Sequence, residues 1–258
     1  MAETTAQRPG PDKSFAKGLA LLEALARSPR PRGVSDLARE LAMTKSNAYR
    51  LLQTLAAAGF VARDGDSAAY AASLKLWELG VAVVGRIDVR QVAHPHLTQL
   101  AEATGETVHL SILDRHDVLY VDKVESSQPV RAYSSVGGRA PAHCVATGKA
   151  LLAHAPAAQV AQVLSRLEPH TPKTITDPAV MERELARIRA EGWAANLGEW
   201  RETVCGIAAP VRDSRGEVVA AVGISGPTER LRPRQMKAMA PVVVAAAAAI
   251  SRQLGAPV

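Results

Sequence analysis

The sequence has little of what a disulfide framework or a membrane anchor requires. Its 258 residues include two cysteines, Cys144 and Cys205. Secreted disulfide scaffolds use more, so we expect a reduced, cytoplasmic protein. No apolar run reaches the ~18 residues of a membrane-spanning helix, and the run Val242–Ile250 is short and rich in alanine. The first residues carry charges and prolines without an apolar stretch, so we expect no secretory signal.

The residue spacings of common catalytic and cofactor sites are also lacking. His143 and Cys144 are adjacent, but neighbouring side chains in an extended segment point apart, and no Asp or Asn partner is evident. The histidines show no Cys-x-x-Cys or His-Glu-x-x-His spacing. A glycine-rich phosphate loop and a dinucleotide fingerprint are missing as well. We therefore expect no enzyme, no cofactor and no metal site, although metal or thiol sensing by His143 or Cys144 stays open.

Acidic residues are scarce in the first quarter of the chain. The net charge is +6, and from Ser14 to Arg63 eight Lys or Arg residues oppose three acids, a local net charge of +5. A small domain that attracts phosphate, joined to a larger domain of mixed charge, fits this distribution. The alternative is a general surplus of arginine in an arginine-rich proteome.

This basic segment contains the pattern of a helix-turn-helix. Residues Val34–Leu55 read as two short amphipathic helices separated by a tight break. Ser35 is expected to cap the first helix and Thr44 the second. The second helix has an i, i+3, i+4, i+7 pattern of apolar residues, which predicts one buried face: Ala48, Leu51, Leu52 and Leu55.

The opposite face of the second helix is cationic and has no acid. An α-helix fits the major groove of DNA, where Asn and Gln pair with adenine, Arg pairs with guanine, and Lys, Ser and Tyr hold phosphates. We therefore predict contacts with double-stranded DNA from Ser35, Thr44, Lys45, Ser46, Asn47, Tyr49, Arg50, Gln53 and Arg63. A plain solvated helix and a protein-docking surface are the alternatives, and the acid-free face argues against docking.

The segments around the helix-turn-helix complete a predicted winged helix. Short strands at Phe60–Arg63 and Ala69–Ala71 flank an Asp-Gly turn, which indicates a hairpin. Residues 1–13 are predicted to be a disordered arm, and Ser14 to cap a first helix. Residues 73–89 read as a linker helix with apolar residues on more than one face. Such a helix packs on a second protomer or on the second domain of its own chain, and the sequence leaves both open.

From residue 89 onward the pattern alternates between strands and helices. We predict strands at 107–113, 118–124, 130–134, 205–212 and 217–225, and helices at 95–104, from Thr147, at 156–167, 178–191 and 232–254. Antiparallel turns with helices at both ends indicate an α+β domain. The predicted domains are thus an arm (1–13), a winged helix-turn-helix (14–73), a linker helix (74–89) and a sensor domain (90–258).

The chain resembles the IclR family of bacterial transcriptional regulators over roughly Ser14 to Gln253. The resemblance is carried by four segments: 35–41 with 45–59, 138–153, 206–211 and 221–227. It implies a winged helix-turn-helix, a linker helix and a GAF-like domain that binds an effector. It also implies homodimers or tetramers on a palindromic operator, and regulation, more often repression, of catabolic operons in response to small acidic or aromatic metabolites.

The resemblance also implies an effector pocket, lined by the loop before the Thr147 helix and by two strands. We place Cys144, Ala146, Thr147, Asn196, Gly206, Gly223 and Ser225 in it. Members that bind small keto acids have a cysteine where Gly206 stands and a serine where Gly223 stands, and Cys205, one position earlier, belongs to the opposite strand face. Either Asn196 or Glu199 fills the place of an acid in the preceding loop. The two glycines favour a larger or less polar effector.

Overall fold

The computed structural model describes residues 12–65, 67–84 and 88–257, so most of the predicted arm lies outside the described residues. The chain divides into two compact units, Met1–Arg86 and Ile87–Val258. Within the described ranges no helix has the length and apolar content needed to cross a membrane.

The first unit is a winged helix-turn-helix, as predicted. Its elements in chain order are α1 (Lys13–Ala26), β1 (Arg32–Gly33), α2 (Val34–Glu40), α3 (Lys45–Ala57), β2 (Val61–Arg63), β3 (Ala69–Ala72) and α4 (Lys75–Val84). The three strands form an antiparallel sheet in the order β1-β3-β2. Leucines of the three N-terminal helices pack with Tyr70 of β3 in one core, and burying these apolar side chains holds the helices on the sheet.

The predicted cap of α3 is confirmed. The Thr44 hydroxyl accepts a hydrogen bond from the Asn47 N–H at 3.3 Å, which satisfies one of the free donors of the first turn. Gly59 follows the helix with a φ of 78°, a left-handed conformation that glycine adopts without steric cost.

The predicted caps of the other two helices are wrong. Ser14 lies inside α1, and Asp12 caps that helix by accepting the Ser14 N–H at 2.8 Å. Gly33 occupies the N-cap of α2 without a side-chain bond, and Ser35 lies in the first turn. Strand β1, which the sequence pattern did not predict, explains why Ser35 does not cap α2. Gly33 pairs with Ala69, so the chain enters α2 directly from the sheet.

The predicted linker helix has different bounds. Helix α4 ends at Val84, residues 85–87 lie outside the described part of the chain, and Val89 belongs to helix α5 (Asp88–Thr104). The prediction that this next helix starts near Pro95 is therefore wrong, because Pro95 lies within α5. Proline costs one backbone hydrogen bond there. Burial offsets that loss, since apolar side chains on both sides of Pro95 form one buried face: Val89, Ala93, Leu97 and Leu100.

The second unit is built on a six-stranded antiparallel sheet in the order β6-β5-β4-β9-β8-β7. Its strands are β4 (Thr107–Asp114), β5 (Asp117–Val124), β6 (Arg139–Pro141), β7 (Ala194–Leu197), β8 (Val204–Arg212) and β9 (Val218–Pro227). Its further helices are η1 (Ala142–Cys144, a 3₁₀ turn), α6 (Ala146–Leu152), α7 (Ala157–Leu164), α8 (Pro178–Glu191) and α9 (Pro233–Gln253). With the helical first unit, this confirms the predicted α+β class.

Each face of the large sheet has its own core. Residues of α5 and α9 pack on one face with Val222 and Ile224 of β9. Residues of α6 and α8 pack on the other face with Ala221 of the same strand. Successive side chains of a strand point to opposite faces, so β5, β8 and β9 contribute buried residues to both cores. The face covered by α6 is the one that forms the site described below.

The predicted strand at 130–134 is wrong. The partner of β5 is β6, with Leu119 opposite Arg139 and Asp117 opposite Pro141. Residues 130–134 precede that register and are irregular. Val130 and Tyr133 are exposed, so burial does not stabilise an extended strand there.

Candidate functional site

Helix α3 presents a polar, basic face to solvent. Lys45, Ser46, Tyr49 and Arg50 are exposed, while Ala48, Leu51 and Leu52 on the opposite side are buried. The predicted amphipathic arrangement is thus present. Contact of these side chains with DNA stays a prediction.

Five of the predicted DNA-contacting side chains make hydrogen bonds within the first unit: Thr44, as described above, Asn47, Arg50, Gln53 and Arg63. The Arg50 guanidinium donates to the side-chain Oδ1 of Asn47 at 3.3 Å. The Gln53 amide donates to the Tyr70 hydroxyl at 2.8 Å, which holds it against strand β3. Arg63 donates to the Ser67 carbonyl at 3.3 Å and so braces the turn of the wing. Among these, Gln53 is the least available for reading a base, because its amide already spans to the wing.

The second unit contains a cavity between the large sheet and the start of α6. Its volume is about 520 Å³ when the open solvent at its mouth is counted, and most of that space is not enclosed. Six of the seven predicted effector residues line it: Ala146, Thr147, Asn196, Gly206, Gly223 and Ser225. Residues that the sequence pattern did not single out complete the wall: His109, Tyr120, Ala132, Tyr133, Ser134, Val145, Trp200, Arg201, Val204, Ile207 and Ile224.

Strand register explains why these distant residues meet. Asn196 of β7 lies opposite Gly206 of β8, and Gly206 lies opposite Ser225 of β9. One step along the sheet, Gly223 lies opposite His109 of β4. Paired residues of neighbouring strands share a face, so these side chains form two adjoining rows beneath α6.

His109 is the polar centre of the cavity. Its Nε2 lies 2.6 Å from the Ser225 Oγ, its Nδ1 lies 3.2 Å from the Ser134 Oγ, and its ring centroid lies 4.9 Å from that of Tyr120. Burial, helped by the positive charge of Lys123, lowers the pKa of His109 to about 3. The ring is therefore neutral near pH 7. The sequence analysis missed this histidine, and the polar residues at alternate positions of β4 are the signal that could have found it.

Aromatic side chains form much of the remaining wall. Tyr120, Tyr133 and Trp200 line the cavity, and burial raises the pKa of Tyr120 to about 12, so its hydroxyl stays protonated. Arg201 is the positively charged side chain among the lining residues, and its guanidinium carbon lies 4.6 Å from the Trp200 ring centroid. Flat apolar walls beside a guanidinium suit a planar organic acid.

Of the two candidates for the loop position, Asn196 faces the cavity and Glu199 does not. The Asn196 side-chain oxygen accepts the N–H groups of Gly198 and Glu199 at 3.0 and 2.8 Å, which fixes the loop. Glu199 instead receives the Lys149 ammonium at 2.7 Å, and both side chains are buried. Burial raises the pKa of Glu199, and the neighbouring Lys149 opposes that rise.

Cys144 lies outside the cavity, which corrects its place in the predicted pocket. The η1 turn carries it toward His143 and His170, whose possible ligand atoms all lie within 4.8 Å of one another and of its sulfur. Burial raises the pKa of the Cys144 thiol to about 12. Thr147 does line the cavity, but it is no N-cap, because α6 begins one residue earlier after Val145.

The two cavity glycines allow neighbouring strands to approach closely. A Cβ at Gly223 would lie 2.6 Å from the Ile207 carbonyl oxygen, and one at Gly206 would lie 2.8 Å from that of Ile224. Part of the space released by the missing side chains is thus taken up by tight strand packing. Cys205, as expected, points to the opposite core. The size of the effector stays a prediction.

The first unit is a winged helix with an exposed basic helix, and the second is a sheet domain with a cavity lined by polar and aromatic side chains. This combination defines the class of two-domain bacterial regulators. The family model described as "IclR helix-turn-helix domain" matches residues 14–65, and that described as "Bacterial transcriptional regulator IclR C-terminal" matches residues 81–252.

Curated and solved relatives agree over nearly the whole chain. The HTH-type transcriptional regulator KdgR of Escherichia coli is 34% identical over 96% of this chain and 95% of its own. The acetate operon repressor of Salmonella typhimurium is 30% identical over 98% and 94%. The structure of an IclR homologue from Microbacterium hydrocarbonoxydans, complexed with 4-hydroxybenzoate, superposes with a TM-score of 0.82 at 28% identity, over 94% of this chain and 99% of that one.

The chain belongs to the IclR family. Its relatives are helix-turn-helix transcriptional regulators rather than enzymes, and membership implies DNA and a small molecule as partners.

Proposed function

We propose that the protein is a transcriptional repressor whose affinity for a palindromic operator is controlled by a small aromatic or acidic metabolite. The observation that carries this proposal is the pairing of an exposed, acid-free α3 face in one unit with an aromatic, Arg201-bearing cavity in the other. Repression is favoured because the relatives include a protein named as a repressor.

The DNA contact is assigned to one face of the first unit. In a homodimer, two α3 helices enter successive major grooves, with Lys45, Ser46, Tyr49 and Arg50 facing the DNA. The N–H donors at the start of α3, beside Thr44, add a site for a phosphate oxygen. Arg63 on β2 reaches the backbone beside the groove.

The effector is assigned to the cavity of the second unit. Tyr120 and Trp200 contact its ring, and Arg201 pairs with its carboxylate. Neutral His109, already bonded to Ser225 and Ser134, orients these hydroxyls toward the bound molecule. The dimer has two states, which differ in the spacing of their α3 helices. The metabolite stabilises one of these states and so changes the affinity for DNA, which is two-state allostery.

The first experiment is a fluorescence anisotropy titration of the full-length protein on DNA from upstream of its own gene, across a salt series. Binding through several phosphates should weaken steeply with salt, with a log–log slope near −0.9 per phosphate. A panel of aromatic and small aliphatic acids is then added. Tight, salt-sensitive binding that one acid releases supports the proposal. Salt-insensitive binding, as to a protein partner, or binding no tighter than to random DNA, contradicts it.

The second experiment separates the aromatic from the acidic requirement. Isothermal titration compares an aromatic acid, its neutral amide and glyoxylate on the wild type and on Arg201→Gln. We expect the acid to bind the wild type best, and the variant to lose the preference for acid over amide. If the wild type and Arg201→Gln bound the acid with equal affinity, Arg201 would not be a residue that binds the effector.

A further inference from the structure

A second group of reactive side chains lies outside the cavity, at the other side of η1. His143, Cys144 and His170 each offer one ligand atom, and these atoms lie within 4.8 Å of one another. His143 and Cys144 come from η1, and His170 comes from the segment between α7 and α8, so tertiary folding brings them together. Cys144 and His143 are buried while His170 is exposed, which leaves a route from solvent.

One ring nitrogen of His143 is held by a hydrogen bond to the backbone. Its Nε2 lies 3.1 Å from the Glu168 carbonyl oxygen. A carbonyl only accepts hydrogen bonds, so Nε2 carries the hydrogen and Nδ1 keeps its lone pair. Metal-binding histidines commonly hold their second nitrogen in this way, because the bond fixes both tautomer and ring plane. The His170 ring lies beside it, with centroids 5.8 Å apart.

His143 and His170, but not the buried Cys144, line a surface pocket of about 490 Å³, a volume that includes the open solvent at its mouth. His116 and Asp117 line it together with Glu168, and Arg166 is an exposed cation at its edge. The Nδ1 atom of His116 is buried and makes no hydrogen bond to any of the residues described. A nitrogen in this position can accept a hydrogen bond from a water molecule in the pocket.

We propose that His143, Cys144 and His170 bind a divalent transition metal of the zinc type, with solvent as the fourth ligand. One thiolate and two imidazoles form a donor set that Zn²⁺ favours. Zinc bond lengths of about 2.0–2.3 Å place tetrahedral ligand atoms roughly 3.3–3.7 Å apart. The three ligand atoms lie up to 4.8 Å apart, so binding requires them to approach one another by about 1 Å, and the exposed His170 has room to move. The metal displaces the thiol proton of Cys144 to solvent, so each ion bound releases one proton.

The position of the site gives it a consequence for the neighbouring cavity. Cys144 is followed directly by Val145, Ala146 and Thr147, which line that cavity. A metal at Cys144 cross-links this wall to the segment that carries His170. The inference depends on this geometry alone and not on the DNA-binding proposal.

The test is a titration of the full-length protein, freed of metal with a chelator, with Co²⁺ as a coloured probe for Zn²⁺. We expect one equivalent to produce a thiolate-to-cobalt charge-transfer band that Zn²⁺ then abolishes. Cys144→Ala should lose the band, and Cys205→Ala, which removes the other buried thiol, should keep it. His170→Ala should weaken binding at least about tenfold.

Two results would overturn the site. One is a wild type that gives no charge-transfer band with Co²⁺. The other is a band that survives in Cys144→Ala or disappears in Cys205→Ala. If circular dichroism shows Cys144→Ala to be unfolded, His170→Ala decides, because its residue is exposed. Wild-type affinity in that variant contradicts the proposal.

Discussion

A neutral histidine at the centre of a buried cavity affects both recognition and stability. His109 bonds Ser225 and Ser134 with a ring that burial keeps unprotonated. It can therefore donate through one nitrogen and accept through the other, but it offers no charge to an acidic effector. Among the lining residues the charge comes from Arg201 instead.

The lowered pKa of His109 predicts an acid-sensitive fold. The unfolded chain binds a proton at His109 below pH 6.5, and the folded chain does so only near pH 3. Stability is therefore lost as pH falls through this window, by up to about 1.4 kcal/mol per pH unit. His109→Gln should lose less stability between pH 6.5 and 4 than the wild type, measured by urea unfolding. If the free energy of unfolding fell equally with pH in the two proteins, the lowered pKa of His109 would be contradicted.

Arg50 is the residue on which DNA recognition can be tested most directly. Arg50→Ala should weaken operator binding and lower the log–log salt slope by about 0.9 if the side chain holds one phosphate. Lys237→Ala is the matched control, since it removes one positive charge from an exposed position of α9. Both are measured by anisotropy on the same operator. An equal effect of the two variants would show only a response to net charge.

At the scale of elements, helix ends and strand contacts decide the geometry. Thr44 sets the start of α3, and a strand too short to recognise from sequence sets the start of α2. Glycine has a structural task at α6, where a Cβ on Gly148 would lie 2.1 Å from the Ala142 carbonyl oxygen. Because Gly148 has no side chain, the backbone of α6 can lie directly against η1.

The cap of α3 predicts a measurable loss of stability. Thr44→Ala removes the bond to the Asn47 N–H and should destabilise the first unit by about 1 kcal/mol. Ser46→Ala, an exposed change inside the same helix, is the control and should cost much less. Chemical denaturation followed by circular dichroism measures both. Equal losses would mean that the hydroxyl of Thr44 does not cap the helix.

Substitutions at Gly148 and Gly80 provide a second pair of test and control variants. Gly148→Ala forces the backbones of α6 and η1 apart and should lower the melting temperature clearly. Gly80 lies in α4, and apart from its chain neighbours and the backbone of its own helix, no atom of the described residues comes within 4 Å of the position that a Cβ would take there. Gly80→Ala should therefore be neutral or stabilising by up to about 1 kcal/mol. Differential scanning calorimetry compares the two. A harmless Gly148→Ala would show that η1 can move away from α6.

For the whole molecule, the apolar side chains of α4 predict self-association. Leu74, just before the helix, and Trp77 within it are 79% and 69% exposed in the single chain. Exposed apolar surface of this kind is typical of an interface, and the helix was predicted to pack on a second protomer or on its own second domain. Trp77→Ser should therefore shift a dimer toward monomer in sedimentation velocity, whereas the exposed polar change Glu78→Gln should not. An unchanged sedimentation coefficient for Trp77→Ser would leave the helix without this role.

Local patterns in the chain were enough to predict the winged helix, the α+β second domain and the buried face of α3. Each depends on apolar spacing or on turn residues close in sequence, and those act locally. Six cavity residues were also placed, through motifs shared with a family. His109 was missed because only the pairing of β4 with β9 brings it beside Gly223 and Ser225. Trp200 and Arg201 were missed because they lie in the loop between β7 and β8, which only the folded chain places at the cavity.

Other features were decided by tertiary contacts. Pro95 lies inside α5 because the buried face of that helix outweighs one lost hydrogen bond. Cys144 leaves the cavity because η1 turns the chain just before α6, and the same turn brings it to His170, 26 positions away in sequence. The spacing of residues along the chain does not predict that Cys144 and His170 lie close together. The packing of helices on the sheet determines which distant side chains share a site.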